Sequence, residues 1–353
     1  MSRLDKKKVL FFARVADKNI LSDVSFYEQD IRALREMGFD VQVSNRLRDI
    51  FLCRYDMLYV WWWTYSLLPI IVSRLKGGKC IVAGAFHYQT PLMSGTDFVR
   101  RSWLYKMLIG LSLRAAHMNI FVSACEYNAV VNNLRVNNPR LVYHGIDTEV
   151  YSPSDSGRDD GRLDKAGRTP QLLCISWMEK NNIERKCIRE VVDALEILYM
   201  QGVEANLLLV GRPGPGFEEF KEFVATKSCA KNITFKGHVT EAEKINLLRT
   251  STMYVSPTLY EGFGIAIAEA LSVGCPVITS RNGAVPEVVG RCAIFVDAGS
   301  SHSIAQAILA LLQNPEARIR LSRLGRRRIV NRYSYRKHSE SLAAAVLSQS
   351  NMN

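Results

Sequence analysis

The sequence predicts an α/β protein of two Rossmann-like domains. Three observations predict it: two separate series of apolar runs alternating with helical patterns, a stretch poor in apolar residues between them, and glycine loops set just after strand-like runs. Strand alternating with helix is the pattern of a parallel sheet. A chain of 353 residues is long enough for two domains that each bury a core. Ligand loops at the carboxyl ends of the strands imply that the domains face each other across a cleft.

In the first series, residues 9–13 read as a strand and 26–37 as a helix whose spacing stops at Gly38. Residues 41–44 give the second strand. Apolar runs at 57–62 and 80–83 follow, with a helix over Leu67–Leu75 between them that ends at Gly77-Gly78. Residues 119–123 and 140–143 add two more strands, so the first domain spans 1–151. Residues 152–170 hold almost no apolar side chains and read as a linker. The pair Asp159-Asp160 falls there and reads as solvated charge, not as a metal site. The second domain, 171–333, has strands at 172–176, 205–211, 233–236 and Met253–Ser256, alternating with helices at 187–200, 217–227 and 241–249. A last segment, 334–353, carries a helix over 334–348.

With 48% hydrophobic and 23% charged residues, the composition is that of a globular protein. Eight cysteines stand singly, with no Cys-x-x-Cys pair and no clustering with histidine, which argues against a zinc site or a disulfide framework. No metal, reduced thiols and a cytoplasmic location are the expectation. The chain starts with a basic segment, but the apolar run after it covers only 9–13, too short for a signal peptide or a membrane span. A formal charge of +12 suits an acidic partner. Nucleic acid is set aside, since no zinc finger, RNA-recognition aromatic pattern or basic zipper is present. Part of the charge sits in Arg318, Arg320, Arg323, Arg326, Arg327, Arg328, Arg332, Arg336 and Lys337, many of them read as lying on the solvated face of a helix.

A phosphorylated substrate and an anionic membrane surface remain as partners. Two segments bear on the membrane. Residues 59–69 are dense in aromatics around Trp61-Trp62-Trp63, and 98–109 mix Arg100, Arg101 and Lys106 with Trp103, Leu104 and Met107. A helix over 98–109 is suited to lie in the bilayer interface on the inner face of the membrane. The opposing readings are a buried helix face at 108–113 and tryptophans that cap a strand in the core.

The most informative segment is Tyr260-Glu261-Gly262-Phe263-Gly264-Ile265-Ala266-Ile267-Ala268-Glu269. It reads as the end of a strand, a glycine turn and a helix. The glycines let the backbone approach a ligand closely, and the helix start offers free N–H groups and a positive dipole end to an anion. Carboxylates accept hydrogen bonds from vicinal hydroxyls, so Glu261 and Glu269 flanking an anion site suggest a sugar attached to phosphates. A second glycine loop, Gly283-Ala284-Val285-Pro286, follows a short apolar run at 277–280. The repeat of strand, glycine loop and helix is how a Rossmann-like half-site is built.

The run 256–290 resembles the donor-sugar segment of the family 4 retaining glycosyltransferases, whose signature is Glu, seven residues, Glu. Val142-Tyr143-His144-Gly145-Ile146-Asp147 is similar to that family's Asn-Gly-Val-Asp segment, and residues 207–211 and 233–239 are similar to its strand-then-glycine steps. The resemblance implies the GT-B fold and transfer from a nucleotide-diphosphate sugar to a glycan, lipid-linked or small-molecule acceptor, as in surface polysaccharide or glycoconjugate synthesis. It also implies that the last helix crosses back to the first domain, and that no cofactor beyond the donor is needed.

The resemblance assigns roles. Glu261 is expected on the donor sugar, Glu269 on the ribose, and the amides of Phe263, Gly264 and Ile265, after Gly262, on sugar and phosphates. Lys186 matches the lysine that neutralises the diphosphate, against a plain surface position on the first turn of a helix. His87 stands where the family often places a histidine beside the transferred sugar. Two departures stand out. Ser176-Trp177-Met178 occupies the place of a Gly-Arg, so Arg185 or Arg212 is left to supply the second cation. Residues 13–19 lack the family's glycine pair. A nucleotide-sugar epimerase and a catalytically silent sugar-nucleotide-binding subunit are the competing readings. The first needs further acid/base groups from only six histidines and the carboxylates, and the second is opposed by intact Glu261, Glu269 and Lys186.

Overall fold

A computed structural model describes residues 6–90, 92, 97–154 and 169–348. Asp159-Asp160 and most of the expected linker lie outside the described residues. The chain forms two compact units, Met1–Gly145 with Tyr335–Asn353, and Ile146–Ser334.

The first unit contains β1 (Lys8–Ala13), α1 (Ile20–Asp23), α2 (Ser25–Glu36), β2 (Asp40–Ser44), α3 (Leu47–Leu52), β3 (Met57–Trp61), α4 (Leu67–Leu75), β4 (Lys79–Gly84), α5 (Trp103–Ala115), β5 (Met118–Phe121), α6 (Ala124–Asn133) and β6 (Pro139–Leu141). Its strands pair in parallel in the order β2-β1-β3-β4-β5-β6. Successive strand side chains point to opposite faces. Val9, Phe11 and Ala13 of β1 therefore join the core under α2, while Leu10 and Phe12 join the core under α3, α4, α5 and α6. Burial on both faces is why these strands read as unbroken apolar runs. Each fully buried Phe or Leu contributes about 1.5–3 kcal/mol.

The tryptophan run belongs to this core, which corrects its reading as a membrane contact. Trp61 Nε1 donates to Asp30 Oδ2 at 2.9 Å and Trp63 Nε1 to Asn119 Oδ1 at 2.9 Å, both from buried positions. The 98–109 segment is not one helix either. Phe98 is buried in a turn, and α5 starts at Trp103, capped by the Ser102 hydroxyl, which accepts from the Tyr105 N–H at 3.4 Å.

The second unit contains β7 (Gln171–Ile175), α7 (Lys180–Arg185), α8 (Ile188–Met200), β8 (Asn206–Val210), α9 (Phe217–Ala225), β9 (Ile233–Gly237), α10 (Glu241–Thr250), β10 (Met253–Ser256), α11 (Ile265–Ser272), β11 (Val277–Ser280), α12 (Val285–Val289), β12 (Ile294–Val296), α13 (Ser301–Leu312) and α14 (Pro315–Arg332). Its parallel order is β12-β11-β10-β7-β8-β9. The chain then returns to the first unit as α15 (Tyr335–Leu347), which packs on α2. His338 on α15 faces Asp30 Oδ1 at 2.9 Å through Nε2, and the same carboxylate takes the Tyr59 hydroxyl at 2.8 Å.

Two sequence readings change here. Residues 146–151, taken with the first domain, pack with the second unit, where the Ile146 N–H donates to the Tyr333 carbonyl at 2.7 Å. The arginines of α14 are not all solvated. Arg318 is buried and donates to the carbonyls of Leu311 and Leu312. Arg328 donates to the carbonyls of Val288 and Glu287 at 2.7 and 2.6 Å. Helix ends leave carbonyls without partners, and a guanidinium supplies several donors to one spot.

Candidate functional site

In the second unit, β7 and β10 are neighbours, and the strand order runs outward from them in both directions. That is a topological switch point, where the loops leaving two adjacent strands diverge and open a crevice at their carboxyl ends. The loop after β10 carries Glu261. The loop after β7 leads into α7, which ends at Arg185.

These two loops are laced together. The Arg185 carbonyl accepts from the Leu259 N–H at 2.7 Å and from the Thr258 hydroxyl at 3.2 Å. In return, Arg185 Nη1 donates to the Tyr260 carbonyl at 2.9 Å. Glu261 Oε1 lies 3.0 Å from Arg185 Nη1 and 3.2 Å from Lys186 Nζ. Lys186 sits at the C-cap of α7, followed by Cys187 at φ 50°, which turns the chain into α8. With its side chain 12% exposed, Lys186 is not a surface residue on a first turn. Burial by itself raises the Glu261 carboxyl, but the Lys186 and Arg185 cations outweigh it and hold the group below the ordinary carboxylate value.

Arg212 does not join this cluster. It is exposed, with Nη2 3.4 Å from His238 Nε2. Of the two arginines named from the sequence, Arg185 is the one beside Glu261. Ser176-Trp177-Met178 brings no cation, and Trp177 is exposed.

The glycine turn has a structural reason. Gly264 takes φ 90° as the N-cap of α11, no side chain caps that end, and Ile265 opens the helix. Its first N–H groups are therefore open to an acceptor from outside. Gly262 is half-buried, while the Phe263 ring is buried edge-on against Tyr333, with centroids 5.6 Å apart. The Phe263 side chain thus packs in the interior of the unit.

Glu269 lies on α11 with its side chain 4% exposed, and Lys244 Nζ reaches it at 3.1 Å. Lys244 also lies 3.0 Å from Glu241, whose carboxylate takes the Tyr151 hydroxyl. Burial raises the Glu269 carboxyl, and Lys244 offsets only part of that. Lys244, Glu241 and Tyr151 were missed in the sequence. The available signal was the Thr240-x-x-Glu243 capping box, which fixes where α10 starts and so which face Lys244 occupies.

His87 belongs to the first unit, after β4. It lines a cavity of about 180 Å³ with Trp62, Phe86, Phe98, Arg101 and Tyr105. Trp62 holds φ 78° there, a strained value for a bulky residue, with its Nε1 donating to the Tyr27 hydroxyl at 2.7 Å. A polar cavity of about 600 Å³ lies at the carboxyl ends of β1 and β2, lined in part by Asp17, Lys18, Asn45 and Arg46. This is where the sequence lacks the glycine pair.

Chemically, the second-unit site offers a carboxylate held ionised beside two cations, an uncapped helix start, and a second carboxylate under burial. Residues 174–328 match the family described as "Glycosyl transferases group 1". Among curated proteins, the chain is 26% identical over 232 residues to MMP alpha-(1->4)-mannosyltransferase of Mycolicibacterium hassiacum, covering 64% of this chain and 52% of that protein. The chain thus spans about half the length of the curated relatives it matches. Among solved structures, sucrose-phosphate synthase from Thermosynechococcus elongatus superposes with a TM-score of 0.78 over 99% of this chain and 100% of that one, at 16% identity. Anabaena HepE in complex with UDP and glucose gives 0.77 over 97% and 100%, also at 16% identity. The two Rossmann-like units are the fold of these structures.

Proposed function

We propose that the protein is a retaining glycosyltransferase that moves a hexose from a nucleotide-diphosphate sugar to a glycan or lipid-linked acceptor, in surface polysaccharide or glycoconjugate synthesis. The observation that carries this reading is the convergence of Arg185 and Lys186 on Glu261 at the switch point of β7 and β10. When the bond to the sugar breaks, negative charge grows on the leaving diphosphate and positive charge on the sugar. Fixed cations and an open helix start stabilise the first, and a nearby carboxylate holds the sugar's hydroxyls. In this reading Lys186 and Arg185 face the diphosphate, Glu261 the sugar, Glu269 the ribose, and no metal is needed. The match of residues 174–328 and the mannosyltransferase relative support the activity class. The resident place is the cytoplasm, at the inner face of the membrane where lipid-linked acceptors are presented.

A silent binding subunit is disfavoured by the same pair of cations, which a protein that merely holds a sugar nucleotide has no need to aim at one carboxylate. The test is a thermal-shift series with UDP, GDP, ADP and their sugar conjugates, since a ligand of the native state raises Tm by mass action. A shift selective for one nucleotide, and lost in Glu269→Ala, supports the donor site. No shift with any of them sinks it. Proton NMR of the product's anomeric signal then separates retention from inversion and from epimerisation of the donor.

A further inference from the structure

Glu269 is a carboxylate that the fold buries and then surrounds with partners from two other segments. It stands one helical turn after Ile265, the first residue of α11. Side chains on a helix lean toward its N-terminus, so Glu269 leans toward the uncapped start at Gly264, where N–H groups are open to an acceptor. A buried carboxylate in such a place needs a cation of its own to stay charged.

Lys244 supplies that cation. The capping box of Thr240 and Glu243 fixes the start of α10, and Glu241 and Lys244, three residues apart, share one face of its first turns. Lys244 Nζ lies 3.1 Å from Glu269 Oε1 and 3.0 Å from Glu241 Oε2. Burial works against the ammonium, but Glu269 and Glu241 outweigh it and raise the group above the ordinary lysine value. Lys244 therefore stays charged between the two carboxylates.

Tyr151 completes the set. Its hydroxyl donates to Glu241 and also favours the charged form of Glu269. Its backbone is tied to the helix that carries Glu269, because the Tyr151 carbonyl accepts from the Ser272 hydroxyl at 2.7 Å and from Arg326 Nη1 at 2.9 Å. Of the other elements on α11, β10 brings the buried Tyr254, whose hydroxyl feels the Glu269 charge. From α14 comes Arg326, which meets α11 at Ser272, while α12 has Glu287 and β11 no ionisable side chain. A carboxylate has about four acceptor sites. Lys244 and Tyr151 engage two of them, which leaves about two, the number that a pair of vicinal hydroxyls fills.

We infer that Lys244, anchored by Glu241, and the Tyr151 hydroxyl are positioning residues that hold Glu269 as an oriented carboxylate for the vicinal hydroxyls of the donor's ribose. Both act through Glu269 and neither touches the reacting atoms. The inference rests on the proposed donor site and deepens it, because it states what lets a buried glutamate select a ribonucleotide. Burial raises the Glu269 carboxyl and Lys244 lowers it. Without Lys244 the group keeps its proton to higher pH, loses acceptor capacity, and selects ribose again only as pH rises.

The experiment is isothermal titration calorimetry of the full chain with UDP, GDP and ADP and with their 2′-deoxy counterparts, at about pH 7 and about pH 9. Wild-type protein is expected to prefer the ribose form of its nucleotide by about tenfold or more at both pH values. Glu269→Gln loses the preference at both. Lys244→Met loses it at the lower pH and recovers part of it at the higher. In the Glu269→Gln background, Lys244→Met changes nothing further, as for a residue that acts through Glu269. If Lys244→Met does not fold, Tyr151→Phe, which keeps both ion pairs, carries the test with a loss of preference of about threefold. Wild-type preference in the folded variant overturns the inference while the donor site stands, and so does an added loss in the double variant. Loss in Lys244→Met without recovery at the higher pH overturns the part played by charge. Equal binding of both forms by wild type, preference kept in Glu269→Gln, or no nucleotide bound at all overturns the ribose role itself and the inference with it.

Discussion

A Cβ built on Gly283 would lie 2.3 Å from the carbonyl oxygen of Glu261. The same carbonyl accepts from the Ala284 N–H at 2.9 Å, so the loop after β11 is pressed against the backbone that carries the site's carboxylate. Gly283 also sits at φ 60°, in the left-handed region. Gly283→Ala therefore displaces Glu261 without touching a charged group. We expect a stability loss of about 1–2 kcal/mol or more from backbone strain, and loss of the nucleotide-induced thermal shift. An unchanged shift in this variant would show that the loop does not position the site.

Lys186→Ala and Arg185→Ala each remove one of the two cations at Glu261. In the proposed reaction each lowers kcat by about 10²–10³ with a smaller effect on KM, because the charge they meet grows in the transition state. Glu261→Gln is the informative carboxylate variant. Glu261→Ala would leave the poorly exposed Lys186 ammonium without its carboxylate, at a cost of about 3–5 kcal/mol. Steady-state kinetics of the three single variants checks this, and wild-type rates in any one of them remove that residue from the mechanism.

Arg326 is a structural arginine on α14. Its Nη1 donates to the carbonyls of Thr148 and Tyr151 at 2.9 Å each and to the carbonyl and hydroxyl of Ser272 at 3.1 Å. A lysine ammonium sits one bond closer to its backbone than Arg326 Nη1, so it does not reach the point where these four acceptors converge. Arg326→Lys and Arg326→Ala should both destabilise by about 1.5–3 kcal/mol. Urea unfolding gives the measurement, and a loss confined to the alanine variant would point to charge alone.

Acid should weaken the first unit through His144. This ring is buried in contact with Gln29 and stacked on Trp61, and burial, then the neighbouring His338, push it down to about 3. A folded value below the unfolded one means the neutral ring is favoured on folding. That stability is present above the unfolded value of about 6.5 and is lost as pH falls toward the folded value. Between about pH 6.5 and 5 the loss is about 2 kcal/mol. His144→Gln should flatten this part of the stability profile. An identical slope in variant and wild type would show that His144 does not titrate this way.

The apolar runs and their spacing were legible because parallel strands buried on both faces need them. Glu261 and Glu269 stood out because they flank a glycine turn that enters a helix, and Lys186 because its position matches the lysine of the family that the sequence resembles. The tryptophan run was ambiguous for a physical reason: an aromatic with a polar N–H suits a bilayer interface and a core equally, until a partner such as Asp30 or Asn119 is seen. The arginines of α14 misled in the same way. Arg318 reads as solvated until the carbonyls at the end of α13 are placed around it.

The sequence by itself determined the alternation of strand and helix and the two glycine loops that bound the candidate site, because these are written in local spacing and backbone freedom. Only the tertiary structure decided that Arg185 rather than Arg212 stands beside Glu261 and that Lys244 meets Glu269. Those relationships join residues from different strands and helices, and their geometry follows from strand order and packing, which no local pattern encodes.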